Sequence, residues 1–146
     1  MSRSGLLLSN ILAAMSTFAC DNGAAPRVPQ PEDAAIIRFV SGTSQTGAPG
    51  ETLPDPVVVE VVTDDGIPVS NVGVSWDLRY RNNSEIWGFV NGKYHEGTIT
   101  DGNGRTSVVL TLGPEIGEYS LQADPVTNAL PEFAYFEAII NDSTGN

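Results

Sequence analysis

From residue 34 onward the chain alternates apolar and polar side chains. In residues 72–80, VGVSWDLRY, every second position is Val, Val, Trp, Leu or Tyr, and the positions between them are Gly, Ser, Asp and Arg. A period of two puts these two sets on opposite faces of a β-strand, whereas a helix would spread the apolar residues around its circumference. The pattern predicts a strand with one buried face, on which Trp76 supplies much of the core volume.

Residues 56–63, 105–112 and 118–124 predict three more strands, each as one continuous segment. The first is rich in β-branched valine, which favours extended backbone. There we expect Glu60 to face water and the valines beside it to point inward. Shorter or less clear strands are indicated at residues 36–40, 88–90, 97–100 and 132–140.

Turn signals separate these strands, and helical periodicity does not persist over three turns anywhere in the chain. The sequences DDG at 64–66 and DGNG at 101–104 are turn signals, in which Gly66 allows a left-handed backbone and Gly104 ends a tight loop. Seven to eight short strands in so short a chain predict an all-β fold, a sandwich of two antiparallel sheets.

The first nineteen residues have the parts of a secretory signal peptide. Arg3 is the only charge before Cys20, and residues 6–15 are mostly apolar but too few to span a bilayer. The sequence TFAC at 17–20 resembles the lipobox of bacterial lipoproteins, which implies lipid attachment at Cys20. The alternative is an ordinary secreted protein whose cysteine lies near the signal by chance.

The remaining boundaries follow from composition. Residues 20–33 contain three prolines and few large apolar side chains, so they predict a flexible linker. We expect the β-sandwich domain to occupy residues 34–141 and a short tail to occupy 142–146.

Charge and rare residues exclude several classes of function. Of 146 residues, 7 are Lys or Arg and 18 are Asp or Glu, a net charge of −11 that argues against nucleic-acid binding. Removal of the signal peptide would make the remaining chain one unit more negative. A single Cys and a single His exclude an internal disulfide, a cysteine zinc knuckle and a multi-histidine centre. We expect no metal and no cofactor.

Residues 41–124 resemble a bacterial immunoglobulin-like domain of the Big-1 type, which occurs in invasin- and intimin-like adhesins and in surface lipoproteins. The stretches that carry the resemblance are SG at 41–42, QTG at 45–47, LPDPVVV at 53–59, DGIPVSNVGVSW at 65–76, TITDGNGRT at 98–106, LTLG at 110–113 and GEYSLQA at 117–123. The resemblance implies an immunoglobulin-like sandwich and identifies no ligand, because such domains serve as spacers and as binding tips. In such sandwiches a tyrosine in the position of Tyr119 bonds back to the backbone through its hydroxyl.

Residues 81–97 depart from that family and hold the candidate ligand-binding residues Trp87, Tyr94 and His95. Two interpretations stay open for them. The aromatic rings beside Asn, Glu and His suit stacking on a sugar or gripping a partner protein. Alternatively, Trp87 and Phe89 cap one end of the core.

No catalytic residue is indicated, since a G-x-S-x-G sequence is absent and His95 is the single histidine. We expect a non-enzymatic lipoprotein of the cell envelope, held on the outer membrane or cell surface, that displays one domain for adhesion, protein interaction or spacing. Its partner is an unknown protein or glycan, and it does not bind nucleic acid. The alternatives are a small carbohydrate-binding protein that uses residues 81–97, and a periplasmic or secreted soluble location.

Overall fold

A computed structural model describes residues 25–139, and its regular structure is almost entirely β-strand. The strands are β1 (Ile36–Ser41), β2 (Thr46–Gly47), β3 (Val57–Val62), β4 (Gly73–Tyr80), β5 (Phe89–Val90), β6 (His95–Ile99), β7 (Arg105–Val108), β8 (Leu110–Thr111), β9 (Gly117–Pro125) and β10 (Glu132–Ala138). One turn of 3₁₀ helix, Pro31–Asp33, precedes them within the segment expected to be a linker. Over residues 25–139, no helix is both long enough and apolar enough to cross a membrane.

The strands form two main sheets that pack face to face. One sheet has the order β1-β3-β7 and the other the order β2-β10-β9-β4-β6, while β5 and β8 form a separate pair. Neighbouring strands are antiparallel except for β2, which runs parallel to β10. The all-β sandwich predicted from the alternation is therefore confirmed.

Trp76 lies at the centre of the core and is completely buried. Its Nε1 donates a hydrogen bond of 2.8 Å to Oγ1 of Thr98 on β6, so the polar atom of the indole has a partner inside the sandwich. Tyr119, Leu121 and Phe136, on the next two strands, belong to the same core, and each is at most 1% exposed. With these large side chains the two sheets bury their facing surfaces without any covalent cross-link between them.

Tyr119 also ties its strand to the loop before it. The hydroxyl of Tyr119 donates to the carbonyl of Glu115 (3.1 Å) and accepts from the N–H of the same residue (3.0 Å). Burial raises the pKa of this phenol, because the charged form would lie in the apolar core. One buried side chain thus satisfies two backbone groups of a loop that has no other regular structure.

Two glycines form the turns at one end of the sandwich. Gly66 has a φ of 81° and Gly104 a φ of 71°, both in the left-handed region. A Cβ at residue 104 would lie 2.6 Å from the carbonyl oxygen of Val61, whose N–H donates to the carbonyl of Gly104 at 2.7 Å. Gly104 therefore provides both the turn and the close approach of the two backbones.

The chain enters the sandwich at the same end. The N–H of Ala35 donates to the carbonyl of Val62, the last residue of β3, and the strand β4 begins nearby at Gly73. We call this the linker end. At the opposite end, which we call the distal end, β4 ends at Tyr80 and β9 begins at Gly117. Strand β10 ends there too, since its last residue, Ala138, pairs with Gly117.

The prediction of one strand over residues 105–112 is wrong, because the chain changes partners at Val109. Strand β7 pairs with β3 in the three-stranded sheet, whereas β8 pairs with β5. The backbone N–H of Val109 donates to the side chain of Asn91 (2.8 Å), and its carbonyl accepts from the N–H of that residue (2.8 Å). Asn91, with a φ of 50°, replaces the neighbouring strand at this point and ends β7.

The expectation that Glu60 faces water is also wrong, although its side chain does lie on the outer face of β3. Glu60 is only 8% exposed, since the side chains of Arg38 on β1 and Arg105 on β7 cover it from both sides. Arg38 donates to Oε2 at 2.6 and 3.0 Å, and Arg105 donates to Oε1 at 3.3 Å. The two hydrogen bonds from Arg38, and less strongly the one from Arg105, lower the pKa of Glu60 against the opposing effect of burial.

We predict that Glu60→Gln lowers the free energy of unfolding at pH 7 by about 1–2 kcal/mol, because it weakens charge-assisted bonds and leaves two facing arginines unneutralised. The lowered pKa means that the charged form of Glu60 stabilises the fold above its ordinary pKa of 4.5. The difference between wild type and variant should shrink as the pH falls below that value. Urea denaturation at several pH values measures both effects.

The matched control is Glu132→Gln, on an exposed residue at the start of β10. It should leave the unfolding free energy within about 0.5 kcal/mol of wild type. An equal loss of stability in the two variants would contradict the role of Glu60.

We further predict that Tyr119→Phe costs about 1 kcal/mol of stability, because two backbone groups of Glu115 lose their partner while the ring stays packed. Tyr135→Phe, on a side chain that is 50% exposed, is the control and should have little effect. Thermal unfolding followed by circular dichroism compares them. Equal midpoints for Tyr119→Phe and wild type would show that the hydroxyl contributes nothing.

Candidate functional site

Residues 81–97 leave the five-stranded sheet at the distal end and return to it. The chain turns after β4, and two backbone hydrogen bonds join the returning segment to the end of that strand. The N–H of Tyr80 donates to the carbonyl of Ile86 (2.8 Å), and the N–H of Gly88 donates to the carbonyl of Leu78 (2.9 Å). Residues 86–88 therefore run back along the end of β4. Strand β5 then crosses to pair with β8, and β6 returns to pair with β4.

This path brings together the three candidate ligand-binding residues, Trp87, Tyr94 and His95. The ring centroids of Trp87 and His95 are 4.8 Å apart and those of Trp87 and Tyr94 are 6.2 Å apart, both in edge-to-face arrangements. Phe89 stacks on Tyr94 at 4.9 Å. These distances fall within the usual range for interacting aromatic rings.

The cluster borders an open groove of about 760 Å³ at the distal end. Its lining residues come from the 81–97 segment and from the loop before β9; they are Glu85, Ile86, Trp87, Phe89, Tyr94, His95 and Pro114. Trp87 and Phe89 are half-buried, and each presents part of its surface in the groove. Both interpretations of these rings remain compatible with their placement.

Two charged residues of β4 complete the cluster, although no sequence motif marks them as candidate site residues. The guanidinium of Arg79 lies 4.1 Å from the centre of the Trp87 ring, a cation–π arrangement. Asp77 forms an ion pair with Arg79, at 3.7 Å, and its Oδ1 contacts Nδ1 of His95. The alternation in residues 72–80 already placed Asp77 and Arg79 on the outer face, which is the signal that could have found them.

The two carboxylate oxygens of Asp77 differ in their surroundings. The side chain is 18% exposed, and Oδ1 is buried directly against Nδ1 of His95, which leaves no room for another donor there. Oδ2 lies 3.7 Å from the guanidinium of Arg79. Only Oδ2 can therefore receive a hydrogen bond from outside the cluster.

The turn between β5 and β6 closes the far side of the cluster. Nζ of Lys93 lies 3.0 Å from Glu96. This ammonium group, and then the N–H of Gly97, lower the pKa of Glu96 below its usual range. The carboxylate is therefore charged under ordinary conditions and holds the lysine over the turn.

The other residues singled out from the sequence lie away from the groove. Trp76 and Tyr119 lie in the core, whereas Gly66 and Gly104 form the turns of the linker end. Cys20, the signal peptide and the C-terminal tail lie outside the described residues. Within residues 25–139 there is no group of three or more His, Cys, Asp or Glu side chains arranged to hold a metal ion.

Solved structures similar to this chain include bacterial adhesins. The Yersinia pseudotuberculosis adhesin InvE aligns over 73% of this chain with a TM-score of 0.56 and 17% sequence identity. The aligned part is 33% of the InvE chain, so the chain spans about a third of that protein's length. At this identity the likeness shows the fold alone.

Two further structures align less closely. The D00-D0 domain of intimin aligns over 70% of this chain and 46% of its own, with a TM-score of 0.42 and 17% identity. The C-terminal domain of ZirS aligns over 96% of this chain and 87% of its own, with a TM-score of 0.48 and 14% identity. No protein family and no curated protein matches the sequence. The chain has the immunoglobulin-like fold that the sequence resemblance implied.

We predict that Gly88→Ala destabilises the domain by about 1–3 kcal/mol and displaces the aromatic cluster. A Cβ at residue 88 would lie 2.4 Å from a methyl carbon of Leu78 and 2.8 Å from the carbonyl oxygen of Thr111. Both neighbours belong to the packed end of the core, so residues 86–88 would have to move outward and carry Trp87 with them. Urea denaturation and the tryptophan emission spectrum measure the two effects.

Gly97→Ala is the matched control, because a Cβ at that position on β6 would meet nothing within 4 Å. This variant should keep the stability and the emission spectrum of wild type. If Gly88→Ala behaves in the same way, the segment is not packed against β4 as described.

Proposed function

We propose that the chain is a non-enzymatic protein of the cell envelope that displays one immunoglobulin-like domain for adhesion or interaction with another molecule. The observation that carries the proposal is the position of the aromatic groove at the end of the sandwich opposite to the entry of the chain. A ligand can then approach the groove without meeting the surface to which the linker leads. The fold, which is also that of the adhesin InvE, supports this role.

In this proposal Cys20 carries the lipid, and residues 20–33 form the linker between the lipid anchor and the domain. Lipid chains hold a protein at a bilayer by burying CH₂ groups, at about 0.8 kcal/mol each, and stable attachment needs more than one chain. The acidic body adds no attraction to an anionic membrane, so the lipid supplies the attachment.

Cys20→Ala is predicted to move the protein from the membrane fraction to the soluble fraction, because it removes the only thiol that can carry a lipid. Fractionation of cells followed by immunoblotting measures the shift. Asn22→Ala, two residues further along, is the control and should stay with the membranes. A wild-type protein that is already soluble would refute the anchor.

The recognition role has a separate test, which uses two exposed apolar side chains at opposite ends. Tyr94 at the groove is 55% exposed and Ile67 at the linker end is 49% exposed. When the anchored protein is displayed on a non-adherent bacterium, Tyr94→Ala should reduce attachment to host-cell or glycan-coated surfaces, whereas Ile67→Ala should not. If display of the wild type does not increase attachment, or if both variants attach as wild type does, the groove is not the recognition site.

A further inference from the structure

The outer face of the five-stranded sheet carries two parallel rows of side chains that cross β10, β9 and β4; one row ends on β6 and the other on the 86–88 segment. Cross-strand partners point to the same side of a sheet. On β10, β9 and β4 the residues of the two rows alternate with buried residues, so they lie on the outer face. The last residue of each row, His95 or Trp87, is the cross-strand partner of an outer-face residue of β4. The first row consists of Phe133, Gln122, Asp77 and His95. The second row consists of Tyr135, Ser120, Arg79 and Trp87.

The same types of side chain follow one another in both rows. Each begins with an exposed aromatic ring on β10, continues with an uncharged polar side chain on β9 and a charged one on β4, and ends with an aromatic ring of the groove cluster. With neighbouring strands about 4.8 Å apart, each row is about 14 Å long, and the rows lie about 7 Å apart along the strands. We call this surface the two-row face.

The middle of the two-row face is a shallow cleft with hydrogen-bonding walls. The cleft has a volume of about 150 Å³, and the first-row residues Phe133, Gln122 and Asp77 line it together with Arg79 and Ser120. Phe133 is 47% exposed beside it. The cleft thus offers an apolar ring, a carboxylate, a guanidinium, an amide and a hydroxyl within one small area.

Asp77 and Arg79 give this cleft an acceptor and a donor side by side. Oδ1 of Asp77 is buried against His95, whereas Oδ2 lies 3.7 Å from the guanidinium of Arg79, and both side chains line the cleft. A ligand hydroxyl can donate to Oδ2 and accept from the guanidinium, whose planar group the Trp87 ring holds in place. Paired donors and acceptors beside aromatic rings suit a sugar, which has hydroxyls at its edges and C–H groups on its faces.

Charge distinguishes among the ligands that could cover this face. The core of a protein–protein interface is depleted of acidic side chains, whereas here Asp77 occupies the centre. An anionic polysaccharide would approach a chain with a net charge of −11, and the guanidinium of Arg79 is already paired with Asp77. An uncharged oligosaccharide meets neither difficulty.

We propose that the two-row face binds an uncharged oligosaccharide, which lies across the strands with a sugar face against Phe133 and hydroxyls on Asp77, Arg79 and Gln122. The inference rests on the proposed recognition role and names its ligand class. It also extends the binding surface beyond residues 81–97 to strands β9 and β10, where the sequence indicated no ligand-binding residue.

The test is affinity electrophoresis of the whole chain, purified in mild detergent, through native gels that contain β-1,4-glucan, β-1,3-glucan, mannan or, as the anionic arm, alginate. At least one uncharged polysaccharide should retard the wild type. Phe133→Ala and Gln122→Ala should each weaken that retardation about tenfold, because each removes one contact from the centre of the face. Val126→Ala, on an exposed apolar residue of the linker end, is the matched control and should bind as wild type does.

Each other outcome overturns the inference. These outcomes are retardation by alginate alone, no retardation in any gel, and equal binding by wild type, Phe133→Ala and Gln122→Ala. Circular dichroism of each variant shows that the fold is retained. A protein that promotes adhesion on the cell surface but binds none of the polysaccharides would refute the sugar ligand and leave the proposed adhesion role standing, with a protein as its partner.

Discussion

The pairing of β4 with β9 connects the core to the candidate binding surface. Seven residue pairs, from Val74↔Pro125 to Tyr80↔Tyr119, hold the two strands in register. Because side chains alternate along a strand, this single register places Trp76 beneath the sheet and Asp77 and Arg79 above it. A shift of one residue would exchange the two sets, bury the charges and expose the indole, so the same constraint protects both the fold and the surface.

Prediction from the sequence succeeded where one short segment carries the whole signal. Residues 72–80 alternate strictly, and β4 was predicted to within one residue. It failed where distant strands decide the outcome. Glu60 is covered by arginines from two neighbouring strands, and the break after β7 depends on Asn91, eighteen residues earlier. Neither contact leaves a trace in the local pattern.

The candidate site shows the same division. Trp87, Tyr94 and His95 lie close together in the sequence, and an unusual cluster of aromatic and polar residues is visible there. The two-row face draws its residues from β4, β6, β9 and β10 and from the 86–88 segment, which are separated by up to about sixty positions, so only the sheet order brings them into one surface. Strand β10 carries large apolar side chains on both faces, so the sequence alone does not show that Phe133 and Tyr135 are exposed. Their exposure follows from the structure, in which the opposite face of β10 packs in the core.

The separation of the linker end from the distal end has a mechanical consequence. If a ligand held at the distal groove is pulled while the other end is tethered, the force runs along the strands. Inter-strand hydrogen bonds lie across that direction, so the bonds of β1, the strand by which the chain enters the sandwich, with β3 are sheared together instead of being opened one after another. Resistance to shear then depends on how many bonds act in parallel, and five residue pairs hold β1 to β3.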